Sequence, residues 1–230
     1  MIDISKLNKN SLAKMLDHTF LKAYATEQDF IKLCTEAKEN HFAMVAINSY
    51  PVKLCKKLLQ DSDVRVGAAI GFPLGQTTIK SKCFETKNAI ENGADEIDYV
   101  INIGKVKESD YDYIEEEMKQ LVQICKENNV LIKAIFENCY LTKEEIINVA
   151  LIAKKIRPDF IKTSTGFGSS GAKVEDVKLM KETVGNLVKV KAAGGIRDWK
   201  TCKEMIMAGA ERIGTSSSLV ILDEYSNNHE

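Results

Sequence analysis

Residues 161–171 read IKTSTGFGSSG, and the two ways of reading them lead to different folds. Gly166, Gly168 and Gly171 spell G-x-G-x-x-G, the fingerprint of a dinucleotide-binding loop. Lys162 stands four residues before the first of these glycines, inside the apolar run FIKTST at 160–165. A dinucleotide loop opens the first strand–helix–strand unit and needs an acidic residue about 20 positions on, near the end of the next strand. Here the next β-branched run ends VKVKAAGG (188–195), with lysine instead of an acid. The glycines also follow the sixth strand-like run and not the first. The fingerprint fails on both counts, and the chemistry shifts to the lysine.

Working outward, strand-like runs occur at LDHTF (16–20), AMVAIN (43–48), RVGAAIG (65–71), EIDYVIN (96–102), LIKAIFEN (131–138), FIKTST (160–165), VKVKAAG (188–194) and RIGTSS (212–217). Helical patterns lie between them. Thr26 starts one, with Glu27 and Asp29 in a first turn that favours acidic side chains. Pro51 suits a first helical position, and Thr142 with Glu145 forms a capping box. Ile114, Met118, Leu121, Val122 and Cys125 form a helical stripe. Alternating strands and helices predict a parallel sheet covered by helices on its faces. Eight of them in 230 residues fit an α/β fold closed as a single (β/α)8 TIM barrel, with an open doubly wound sheet as the rival. One domain is expected over 1–230, with a short helical segment ahead of the first strand and a tail from about residue 222.

Thirty-two basic residues against 33 acidic leave a net charge of −1, so neither a nucleic-acid footprint nor a membrane-seeking face is expected. The start of the chain, MIDISKLNKN, has no apolar signal core. The six cysteines are scattered singly, which reads as buried thiols in a reducing cytoplasm. No His or carboxylate cluster has metal-ligand spacing, so neither metal nor cofactor is expected.

In a barrel of this kind the working residues gather at strand C-terminal ends, and loops after strands seven and eight recurrently hold phosphate. AAGGIR (192–197) and GTSSS (214–218) occupy those places. Gly166, Gly194, Gly195, Gly214, Ser216 and Ser217 can supply N–H and hydroxyl donors; glycines of this kind also serve as bare turns. Arg197 either adds charge or is a surface residue. Lys133, Lys162 and Lys191 lie in three consecutive strands among apolar neighbours; such lysines either extend to solvent at a barrel end or work inside. Lys189 fits an exposed strand start. Lowering a lysine from about 10.4 to about 7 takes roughly 4–5 kcal/mol. A second ammonium about 4 Å away supplies on the order of 4 kcal/mol at an effective dielectric near 20, and desolvation adds to it. A lysine pair can therefore make an amine nucleophile for Schiff-base chemistry on a carbonyl. Asp98, between Ile97 and Tyr99, is expected to face inward, as a salt-bridge partner or a proton relay. Asp95 and Glu96 are expected ahead of the strand and solvated. Glu137 is a further proton-transfer candidate, Asp17 a holder for a lysine, and His18 a packing or capping residue.

LDHTFLK, GFPLGQTT, GADEIDYVINIG, IKTSTGFG, VKAAGGIR and RIGTSSS together resemble the motifs of the deoxyribose-phosphate aldolase family, over residues 12–222. The resemblance implies a class I aldolase with no cofactor, and a (β/α)8 barrel that acts on a sugar phosphate and acetaldehyde. Lys162 would be the Schiff-base lysine, Lys191 the lysine that lowers its pKa, and Asp98 the relay carboxylate. Gly166, Gly194, Gly195, Gly214, Ser216 and Ser217 fall on phosphate-binding positions. A homodimer is implied, and Tyr225 either corresponds to a tail tyrosine that some members bring to the site or belongs to a disordered tail. Ala46, Asn138 and Ser170 depart from common cysteine, threonine and glycine positions.

Overall fold

Every strand runs parallel to its neighbours, and the eighth pairs back onto the first, so the sheet has no free edge. The computed structural model describes residues 2–227. A 3-10 turn (Ile4–Lys6) and α1 (Lys9–Ala13) lead into β1 (Leu16–Thr19), α2 (Glu27–Glu39), β2 (Met44–Asn48), α3 (Val52–Leu58) and β3 (Arg65–Ile70). Then come α4 (Ile79–Glu91), β4 (Glu96–Val100), α5 (Ile103–Lys107), α6 (Tyr111–Glu127) and β5 (Leu131–Ile135). A second 3-10 turn (Asn138–Tyr140) precedes α7 (Lys143–Ile156), β6 (Phe160–Lys162), α8 (Val174–Val184) and β7 (Lys189–Ala193). The chain closes with α9 (Trp199–Met207), β8 (Arg212–Thr215) and α10 (Ser218–Asn227). This is the expected (β/α)8 barrel. No described helix is long and apolar enough to cross a membrane.

Strand alternation sorts the side chains into two sets. Val45, Ile47, Val66, Ala68, Ile97, Tyr99, Ile132, Ala134, Ile161, Val190 and Ile213 point outward into the apolar layer under the helices. The stripe on α6 joins them: Ile114, Met118, Leu121, Val122 and Cys125 are all buried. The alternate positions turn inward, and there the strands carry Asp17, Glu96, Asp98, Lys133, Lys162, Lys191 and Arg212, all buried.

Local signals set the helix starts. The Asp29 carboxylate accepts from the Thr26 N–H at 2.8 Å, and Thr142 and Glu145 cap each other as a box. Pro51 sits one residue earlier than expected, at the cap of α3. The expected tail from about residue 222 is instead helical as far as Asn227. Tyr225 does not approach the lysines. Its hydroxyl donates to the Leu7 carbonyl at 2.5 Å, and its ring meets Trp199 edge-on at 4.9 Å. The apolar face of α10 pulls it down against the segment before β1.

Candidate active site

Three consecutive strands turn their lysines inward, Lys162 beside Lys191 and Lys133 two residues lower on its strand. In register, Ile135 pairs with Lys162, and Lys162 pairs with Lys191. Asp98 pairs with Lys133 one strand further round. Because all four face inward, their polar ends converge on the axis. Lys162 donates to Asp98 Oδ2 at 2.9 Å and Lys191 donates to the same atom at 2.7 Å. Lys133 takes the other oxygen, Oδ1, at 2.7 Å. Lys191 also meets Asp17 at 2.5 Å.

Below this group lies a second one that the sequence pattern missed. Glu96 was expected ahead of its strand and in solvent; it is the first residue of β4 and fully buried. Two residues before Asp98, it shares the inward face. It pairs with Lys133, and with Arg212 at 2.6 Å, while Arg65 reaches it at 3.2 Å from the solvent end. Arg212, at the start of β8, also lies 3.0 Å from Asp17. Asp95 behaves as expected: it stays at the surface, paired with Lys56 at 2.6 Å. Lys189 is exposed at the start of β7.

The charges of this interior decide its protonation. It holds three carboxylates (Asp17, Glu96, Asp98) and four cations (Lys133, Lys162, Lys191, Arg212). One cation is surplus, and burial makes an uncompensated charge costly. Lys162 is the one that yields. Burial, with Lys191 and Lys133 adding to it, lowers its pKa to about 8 against the pull of Asp98. Desolvation thus contributes more than the neighbouring ammonium, the reverse of the emphasis drawn from sequence. Burial works against ionised Asp98, yet Lys133, Lys162 and Lys191 outweigh it and hold its pKa well below the usual range. Glu96 is likewise brought to about 2 by Lys133 and Arg212 against burial. Lys133 resists burial through Asp98, Glu96 and Asp17, and moves upward.

The glycine and serine loops surround the mouth above. Gly166 has φ +90° with open space on its Cβ side, and Gly194 and Gly195 have φ +86° and +77°. These are backbones that suit glycine. Gly171 lies against Gly194: a Cβ there would fall 2.1 Å from the Gly194 carbonyl oxygen. The third glycine of the opening stretch therefore serves a close approach between two loops. Gly214 lies within β8 and not in the loop after it; a Cβ would come within 3.1 Å of Lys191 Cε. Ser216 and Ser217 precede the N-terminus of α10, where backbone donors point outward. Arg197 is exposed at the rim after β7.

Other candidates lie elsewhere. Glu137 is just beyond β5 and binds Thr165, not the lysines. His18 stacks on Phe42 with ring centroids 5.0 Å apart and pairs with Glu36 at 2.8 Å, a packing role; burial lowers its pKa. Ala46 is buried in β2, and Asn138 is buried in the turn after β5. Ser170 is half-buried in the β6 loop.

Comparison with known proteins points to an aldolase family. A family model described as DeoC/LacD family aldolase matches residues 11–222. The deoxyribose-phosphate aldolase of Lactobacillus acidophilus is 60% identical over 216 residues, covering 94% of this chain and 91% of the relative. That of Bacteroides thetaiotaomicron is 53% identical, covering 96% and 93%. The solved structure of deoxyribose phosphate aldolase from Aeropyrum pernix, described as tetrameric, superposes with a TM-score of 0.90 at 28% identity, covering 98% of this chain and 95% of that one.

Proposed function

Because this chain belongs to the DeoC/LacD aldolase family, we propose that it reversibly cleaves 2-deoxy-D-ribose 5-phosphate to D-glyceraldehyde 3-phosphate and acetaldehyde. The observation that carries this reading is the Lys162 amine, buried beside Lys191 on a shared carboxylate oxygen with its pKa at about 8. A free amine is thereby populated near neutral pH without the charge of a typical lysine.

Lys162 attacks the C1 aldehyde of the open-chain sugar, and loss of water leaves a protonated imine. The C3 hydroxyl proton leaves through Asp98 and Lys191 as the C2–C3 bond breaks. The electron pair of that bond moves into the imine, giving an enamine, and glyceraldehyde 3-phosphate departs. Asp98, held by ammonium groups, is a weak proton acceptor, so it relays the proton to its neighbours instead of storing it. Protonation of the enamine at C2 and hydrolysis return acetaldehyde and the free amine. The loops carrying Gly166, Gly194, Gly195, Ser216 and Ser217 receive the phosphate. Binding energy far from the reacting carbons then aligns C1 on Lys162.

The reading extends to a homodimeric enzyme of the cytoplasm, where the six free thiols suit a reducing medium. Sedimentation as a monomer would count against the dimer. The decisive experiment for the chemistry is borohydride reduction with acetaldehyde, followed by peptide mass spectrometry. An ethyl group on Lys162, absent from Lys162→Arg, is the expected result. A folded protein with no adduct on any strand lysine overturns the reading.

A further inference from the structure

Glu137 is a buried carboxylate that the proposed chemistry does not use. It follows the end of β5 with φ +45°, a left-handed backbone that a glutamate adopts only under constraint. The neighbouring ladder shows the cause. Phe136 N–H donates to the Lys162 carbonyl at 2.9 Å and Asn138 N–H to the Thr163 carbonyl at 2.8 Å. The intervening residue is thus turned toward the loop after β6. Its carboxylate accepts from the Thr165 N–H at 3.1 Å and from the Thr165 hydroxyl. That hydroxyl in turn accepts from the Phe167 N–H at 3.0 Å. Gly168 closes the arrangement: a Cβ there would meet Cys139 Sγ at 2.5 Å and the Glu137 carboxyl carbon at 3.1 Å.

Thr215 supplies a contrast within the same barrel. Its hydroxyl accepts from the Ser217 N–H at 2.9 Å and donates to the Ile196 carbonyl at 2.6 Å. The loop after β8 is therefore tied back with an ordinary peptide carbonyl. The loop after β6 is tied by a buried carboxylate on a left-handed backbone, a costlier device that holds two donors of one residue at once. Only Ser164 and Thr163 separate Thr165 from Lys162.

We propose that Glu137 is a positioning residue which acts through Thr165 to fix the loop bearing Gly166 at a set height above Lys162, and so sets the distance from phosphate to amine. This rests on the aldolase reading above. The test compares Glu137→Gln and Thr165→Val with the parent enzyme on 2-deoxyribose 5-phosphate and on unphosphorylated 2-deoxyribose, with acetaldehyde trapping alongside. Glutamine keeps the shape but cannot accept from both Thr165 donors without turning its own N–H toward one of them. KM for the phosphorylated sugar should rise on the order of tenfold, the worth of a charge-assisted hydrogen bond, with kcat changed by less than about twofold. Kinetics on 2-deoxyribose and trapping on Lys162 should stay at parent values. The double variant should be no worse than the weaker single one, since both act on one contact. Equal losses on both sugars would overturn the proposal in favour of a role in the lysine cluster or in folding. Unchanged KM for both would overturn it as well. A parent enzyme that fails to trap acetaldehyde would instead sink the aldolase reading itself.

Discussion

Lys162 and Lys191 share one acceptor, the Oδ2 atom of Asp98, at 2.9 and 2.7 Å. Two ammonium groups on one oxygen cannot both keep full charge at low cost in a dry interior. Asp17 gives Lys191 a second carboxylate at 2.5 Å, whereas Asp98 is the only ion-pair partner of Lys162 among the described residues. The asymmetry decides which of the two is the free amine.

Acetaldehyde trapping should therefore follow the Lys162 titration, rising with pH through about 8. Removing the neighbouring cation in Lys191→Met should move that midpoint to higher pH by about one unit or more. Trapping measured across pH 6–10 checks this, and an unchanged or lower midpoint would contradict the electrostatic account.

Lys162 should also cost the fold stability. Its pKa is 10.5 as a free lysine and about 8 when buried, so between these values the unfolded chain binds a proton that the folded chain lacks. Stability attributable to this group then rises with pH from about 8 to 10.5, and the full penalty applies below 8. Lys162→Met should be more stable than the parent at pH 7, by up to about 3 kcal/mol, with the difference narrowing toward pH 10. Urea unfolding at the two pH values measures it.

Gly171→Ala should drive apart the loops after β6 and β7, because its Cβ would fall 2.1 Å from the Gly194 carbonyl oxygen. Trapping on Lys162 should persist while KM for the phosphorylated sugar rises by about tenfold or more, comparable to a misplaced binding group. Steady-state kinetics on phosphorylated and plain deoxyribose separate the two effects.

A buried pair outside the barrel offers a test of packing. Lys82 on α4 meets Glu117 on α6 at 2.6 Å and donates to the Val100 carbonyl at 2.7 Å, while Glu117 accepts from the Asn102 N–H at 3.1 Å. Burial lowers the Lys82 pKa and raises that of Glu117. Lys82→Met alone should destabilise by about 3–5 kcal/mol, and Lys82→Met with Glu117→Leu should recover part of that. Thermal unfolding of the two variants and the parent decides it.

The sequence made all eight strands legible, because apolar runs bounded by glycine and polar turns mark them. Their last residues did not fit: Thr163, Ser164 and Thr165 read as strand but form the start of a loop. Lys162, Lys191 and Asp98 stood out because charge inside an apolar run is rare. Glu96 and Arg212 escaped notice because each begins its strand, and a charged residue there normally faces water, as Lys189 does. Only barrel closure brings β4 and β8 to a common axis and turns both residues into partners. The sequence leaves Tyr225 open between the site and a free tail for a related reason, since the pull of α10 onto the segment before β1 has no local signature.

The surplus cation of the interior has an electrical consequence for turnover. Above about pH 8, where Lys162 is neutral, the barrel axis is balanced, and a protonated imine on the same nitrogen charges it by one unit. Each cycle at such pH charges and discharges a low-dielectric core. The phosphate of the natural substrate brings negative charge to the rim as the positive one appears below. An aldehyde without phosphate must charge the core alone, which sets a penalty on such substrates even where they fit.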